Sequence, residues 1–123
     1  MANKILSVNT LSERKDVKKS LQAIMQFGYR VALAMGRVIL HITKREQWEQ
    51  AKVLGVYRGD TLDSQGFIHC STPQQIVRVA NALFHGQKGL ALLCIDSDKV
   101  KAEIRYEGAE GKEQYPHIWL LEC

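Results

Sequence analysis

His69 and Ser71 stand two residues apart in the stretch Gly66-Phe67-Ile68-His69-Cys70-Ser71-Thr72-Pro73, which reads as a short strand running into a helix start. Side chains alternate between the two faces of a strand, so His69 and Ser71 share one face while Ile68 and Cys70 share the other. Polar groups at the end of a strand, beside the unpaired N–H groups of a helix N-terminus, suit the binding of a nucleotide. Ile39-Leu40-His41-Ile42-Thr43 repeats the arrangement: an apolar strand carries His41, and Thr43 opens the next helix. Glu103, Arg105 and Glu107 share a third strand face, with Glu107 at the strand end. A carboxylate there can accept a hydrogen bond from a ribose hydroxyl or act as a general base. Each of these features also has a plainer reading. A lone strand histidine fits a hydrogen-bonded core residue, and the 103–107 face fits a solvated charge ladder. Two histidines, each one or two residues before a hydroxyl at a helix start, are what point to a single cleft.

The remaining chemistry-bearing residues narrow the field. Cys70 points away from His69, so the two cannot form a nucleophile and base pair, and Cys70 and Cys94 fit small buried hydrophobes. His41, His69, His85 and His117 lie on different elements without the short spacing of zinc ligands, so no metal site is expected. His85 sits in a turn and should be exposed, Trp48 and Trp119 fit the core, and His117 fits an outer support of the cleft.

Several elements must position these groups. Thr10-Leu11-Ser12-Glu13 has the capping-box form, and Val17, Leu21, Ile24 and Met25 follow at helical spacing until Gly28, which predicts a helix over roughly 11–27. A strand over 38–42 follows, then a helix opened by Thr43 with Glu46 and closed by Gly55. The polar, turn-rich segment 59–66 reads as a loop of the kind that holds ligands. It leads to the strand Phe67 to Ser71 and a third capping signal, Thr72-Pro73-Gln74-Gln75, ahead of a helix whose buried stripe is Ile76, Ala80, Leu83 and Phe84. Leu90 to Ile95 reads as a central strand covered on both faces. Strands over 103–107 and 115–121 complete an α-β-α-β-α-β-β-β order, an α+β domain.

Composition sets the class. The 123 residues, 46% of them hydrophobic, suit one globular domain. Three cysteines at wide spacings argue against a secreted disulfide framework and for a reducing, cytoplasmic setting. The apolar runs are too short for a membrane span. The net charge of +4 divides unevenly: residues 1–37 carry seven Lys and Arg against Glu13 and Asp16, while the remainder is close to neutral. That pattern fits a solvated helix face better than a nucleic-acid patch.

Taken together, ILHIT, Trp48, Gly55 with Tyr57, GFIHCST, LALLCI, the RYE of 105–107 and the YPHI of 115–118 resemble the bacterial domain of unknown function 952 family over about residues 38–119. That family is similar in fold to the ADP-ribosyltransferases, and its H-x-T and H-x-S pattern also resembles the RNA 2′-phosphotransferases. Both groups consume NAD. The resemblance implies an ADP-ribosyltransferase-like split β-sheet and NAD as a substrate transferred to an unknown acceptor. It implies that His41 contacts the adenosine ribose with Thr43 beside it, that His69 and Ser71 flank the nicotinamide ribose, and that Thr72 also belongs to the cofactor-binding set. Glu107 then takes the place of the acid that holds the ribose 2′-hydroxyl during glycosidic cleavage, with His69 as its catalytic companion. A non-catalytic nucleotide-binding module and an RNA 2′-phosphotransferase are the other functions this resemblance leaves open, the last with Arg58 and Arg105 as its nearest phosphate-gripping candidates. Residues 1–37, an N-terminal amphipathic helical extension, have no counterpart in the family pattern, so the resemblance sets the domain at 38–123, and with Trp119-Leu120-Leu121-Glu122-Cys123 after PHI it is expected to lack the family's usual last strand.

Overall fold

The apolar run at Leu90–Asp96 is the strand about which everything else is laid. In the computed structural model, which describes residues 6–8, 11–14, 16–35, 37–59 and 61–119, with the side chains of 27–35 outside the description, the elements follow in chain order. They are β1 (Leu6–Ser7), β2 (Leu11–Arg14), α1 (Val17–Met35), β3 (Val38–Lys44), α2 (Arg45–Leu54), β4 (Val56–Tyr57), α3 (Leu62–Gln65), β5 (Phe67–His69), α4 (Ile76–Leu83), β6 (Leu90–Asp96), β7 (Ile104–Glu107) and β8 (Tyr115–Trp119). This is an α+β arrangement built on small antiparallel sheets.

β6 lies between β2 and β3, with Leu93 opposite both Glu13 and His41. Ala91 through Ile95 are all buried, as an unbroken apolar strand covered on both faces requires. One face meets Ile39, Trp48, Tyr57, Leu62, Ile68 and Ile118. The other meets Leu40, Ile42, Ile24 of α1, and Ile76 and Ala80 of α4. The second sheet has the order β5-β8-β7, which puts β8 at its centre. A short ribbon pairs β1 with β4. The two larger sheets are joined where the Leu40 and Ser71 backbones exchange N–H to carbonyl bonds of 2.7 Å each.

The N-terminal segment departs from the sequence reading. Leu11–Arg14, predicted as the first turn of a helix, is a strand of the central sheet; its alternating exposure satisfies the two-residue period of a strand. Glu13 is drawn into the interior, where its carboxylate accepts from the Arg45 guanidinium and from Trp48 Nε1 at 3.0 Å. The helix starts at Val17 and runs through Gly28, because one interior glycine costs only about 1 kcal/mol and packing on the sheet outweighs it. Val17, Leu21 and Ile24 do pack on the sheet and α4, whereas Met25 is exposed.

Two capping signals also resolve differently. Thr43 is a strand residue paired with Ala91, and α2 begins two residues later at Arg45, with no side-chain cap at Lys44. At Thr72 half of the capping box forms: Gln75 Oε1 accepts from the Thr72 backbone N–H at 3.0 Å, and α4 begins at Ile76. The C-terminal end of α2 matches its reading, with Gly55 in the left-handed region that glycine adopts without a Cβ clash. Segment 59–66 contains the single turn α3, whose Leu62 is buried. Leu120 and Leu121, predicted to prolong the last strand, lie outside the described residues, as does Thr10 of the first capping signal.

Candidate functional site

The seam between the two sheets opens into a cleft of about 760 Å³, within the range of small-molecule pockets. His41 and Thr43 reach it from β3, His69 and Ser71 from β5 and the residues after it, Glu107 from β7, and Tyr115 and His117 from β8. The apolar side of α4, with Val79, Leu83 and Phe84, forms the facing wall. Leu83, predicted to be buried, is exposed at this wall. Of the six residues singled out from sequence, five therefore border one cavity. Thr72 is the exception: it faces a separate hollow of about 380 Å³ beside Arg37, Pro73 and Tyr106, because the chain turns after Ser71.

Strand parity explains the polar face of the second sheet. Phe67 opposes Trp119, His69 opposes His117, and His117 opposes Arg105, so all project to one side of the sheet. The Phe67 ring stacks on His117 with centroids 4.2 Å apart, and His69 meets His117 edge-on at 5.0 Å. Arg105 lies over the Trp119 ring and pairs with Glu103, so its guanidinium is engaged on the sheet surface. Arg58 pairs with Asp63 at 2.6 Å. Neither arginine lines the cleft.

Glu107 is the anionic centre of this face. Its Oε1 accepts from His117 Nδ1 at 2.9 Å and from Trp119 Nε1 at 2.8 Å. A carboxylate only accepts when ionised, so His117 carries its hydrogen on Nδ1. The His117 N–H, seconded by the Trp119 N–H, holds the Glu107 carboxyl below the usual carboxylate range even though partial desolvation pulls the other way. At neutral pH the group is a carboxylate.

His41 has a different character. Its Nδ1 meets the His69 carbonyl at 2.5 Å, and because a carbonyl cannot donate, that nitrogen carries a hydrogen. In the neutral ring, Nε2 then accepts from the Tyr57 hydroxyl at 2.6 Å. The imidazole is buried and ties β3 to β5, which makes it a strut that fixes where His69 sits. His69 itself is exposed, with Nε2 donating to Gln65 Oε1 at 2.6 Å. The Thr43 hydroxyl donates to Gln47 Oε1 at 2.8 Å, and both residues line the cleft.

Several lining residues were not singled out from sequence. Lys44 and Arg78 bring positive charge to the cleft, and Thr61, Gln47 and Tyr115 bring further polar groups. Tyr115 could have been found by parity with His117, two residues on. Arg78 gives little signal, being one cation within the apolar helix IVRVANAL. Gln75, almost fully buried, donates to Glu113 Oε2 at 3.0 Å and to the Gln114 carbonyl at 2.7 Å, pinning the loop after β7 to the start of α4. Among the described residues no group of three or more His, Cys, Asp or Glu gathers as metal ligands. No helix among them is long and apolar enough to cross a membrane.

A model of a protein family of unknown function, DUF952, matches residues 42–120. The X-ray structure of protein CC0527 from Caulobacter crescentus is similar at a TM-score of 0.61 and 31% identity, over 68% of this chain and 74% of that one. A double mutant of the same Caulobacter protein gives a TM-score of 0.60 at the same identity and coverage. No curated protein matches the chain.

Proposed function

The chain belongs to the DUF952 family of proteins of unknown function, and from that membership and the chemistry of its cleft we propose that it binds NAD and cleaves the bond between nicotinamide and ribose, passing ADP-ribose to an acceptor. The observation that carries this reading is Glu107, an ionised carboxylate held by His117 and Trp119 at the border of a nucleotide-sized cleft. As the C1′–N bond breaks, its electron pair leaves with neutral nicotinamide, and the sugar takes on oxocarbenium-like charge. A fixed carboxylate stabilises that charge without reorganising and can accept the ribose 2′-hydroxyl while it does so. The acceptor nucleophile then bonds to C1′ and gives up its proton.

His69, exposed on the same face, is the group best placed to receive that proton, and Ser71 and Thr43 offer hydroxyls to the sugar. His41 acts through His69 by holding its backbone. The ADP-ribosyltransferase-like fold is part of the same proposal; the seam at Leu40 and Ser71, where the two sheets meet, supports it. The binding-module alternative shares the cleft and differs only in the absence of turnover.

Nicotinamide release from NAD by the full chain is the test. Glu107→Gln keeps an oxygen for the His117 and Trp119 donors but removes the charge. It should lower release by roughly 10²–10³-fold, the cost of losing one transition-state electrostatic contact, with NAD binding retained. NAD binding without release, in the presence of water and candidate acceptors, would reduce the protein to a binding module. Absence of NAD binding would refute the proposal.

A further inference from the structure

Arg78 reaches the cleft from α4 with a guanidinium that is already spoken for: Nη2 lies 2.6 Å from Glu113 Oε2. The pair is open to water, with 63% of the arginine side chain and 38% of the glutamate side chain exposed, so it is weakly held. Glu113 does not depend on it alone. The same Oε2 accepts from Gln75 Nε2, and Gln75 is anchored by its bonds to the Gln114 carbonyl and the Thr72 N–H. The carboxylate therefore keeps a partner if Arg78 leaves. Arg78 is a long side chain with a planar fork that suits two oxygens of a phosphate, and it stands on the apolar wall across from the polar strands. Among the described residues that line the cleft, Lys44 is the other cation and Glu107 the one carboxylate.

We propose that the Arg78–Glu113 pair is a latch on the cleft: Arg78 exchanges Glu113 for a phosphate oxygen of the bound molecule, so the site selects nucleoside diphosphates over bare nucleosides. This rests on the NAD reading and deepens it by assigning the pyrophosphate to the α4 side, leaving the sugar to Glu107 and His69. Glu113 sets the threshold, since any ligand must outcompete it for the guanidinium.

Calorimetric titration of the full chain with ADP-ribose and with adenosine separates the steps. Arg78→Gln should weaken ADP-ribose by at least about tenfold, the worth of one charge-assisted bond, and leave adenosine within about twofold. Glu113→Gln should act in the opposite direction, tightening ADP-ribose by about two- to fivefold because the competitor has lost its charge. An unchanged ADP-ribose affinity in Arg78→Gln, an equal loss for adenosine, or weaker ADP-ribose binding in Glu113→Gln would overturn the latch. Wild-type protein that binds adenosine and ADP-ribose equally would refute the latch while leaving the nucleotide cleft standing. Binding of neither would remove both.

Discussion

Glu13→Ala is the sharpest test of how this fold is held, because the residue sits on a strand that a helical reading of the N-terminus would place in solvent. Only 8% of its side chain is exposed, and its carboxylate serves both Arg45 and Trp48 Nε1. Truncation removes the acceptor from the N–H of an almost fully buried indole, which costs about 1–3 kcal/mol. A fully buried ion pair broken on one side costs about 3–5 kcal/mol. Arg45 is a third exposed and also donates to the Leu90 carbonyl, so its share falls to about 1 kcal/mol. The expected total is about 2–4 kcal/mol. Glu13→Gln keeps an oxygen for the indole and should cost about 1 kcal/mol. In urea melts followed by tryptophan fluorescence, with a slope of about 1.5 kcal/mol/M, the alanine variant should melt about 1.3–2.7 M earlier at unchanged slope. A shift of less than about 0.5 kcal/mol would refute the placement of β2 within the central sheet, since surface substitutions away from such contacts have effects of that size.

Other expectations follow from single contacts. Because hydrogen bonding to His117 depresses the Glu107 pKa, that group favours the folded state above the ordinary glutamate range and loses its contribution as pH falls through the lowered value. Nicotinamide release should stay level as pH drops through the ordinary carboxylate range; in His117→Phe, which keeps a ring against Phe67 but removes the N–H, the acid limb of the rate profile should move up. An unmoved limb would show that His117 does not set the ionisation of Glu107. At Gly108 an added Cβ would come within 2.3 Å of the Glu113 carbonyl oxygen, so Gly108→Ala must shift the loop and should cost about 1–3 kcal/mol, read as a fall in Tm. Burial alone raises the Cys70 pKa, so native protein treated with iodoacetamide at pH 8 should yield an unmodified Cys70 peptide, while urea-unfolded protein should be labelled there.

The parts of the fold with a long, unmixed signal were legible in the sequence. Leu90 to Ile95 reads as a buried central strand and is one, and the same parity that puts Phe67 with His69 puts Trp119 with His117 and Arg105 with Glu107. The N-terminus was misread because the capping pattern of Thr10 to Glu13 overlaps Leu11 to Arg14, whose burial alternates with the two-residue period of a strand. Only the long-range pairing of β2 with β6, and the Glu13 contacts across to α2, decide between them. Thr43 misled for a related reason: its hydroxyl meets Gln47, four residues on, while its backbone stays in the sheet. The cleft was legible as a set of strand-end polar residues. Its α4 wall was not, since Arg78 and the exposed Leu83 acquire meaning only once the helix is seen packed across from β3 and β7.

Backbone amide shifts of the ¹⁵N-labelled chain, followed by NMR during titration with ADP-ribose, are the direct test of the proposal that the cleft binds a nucleotide. Saturable shifts should gather at residues 41–44, 69–71, 107–108, 115 and 117 together with the 78–84 side of α4. Shifts confined to the separate hollow around Arg37 and Thr72, or none at millimolar ligand, would contradict the proposal.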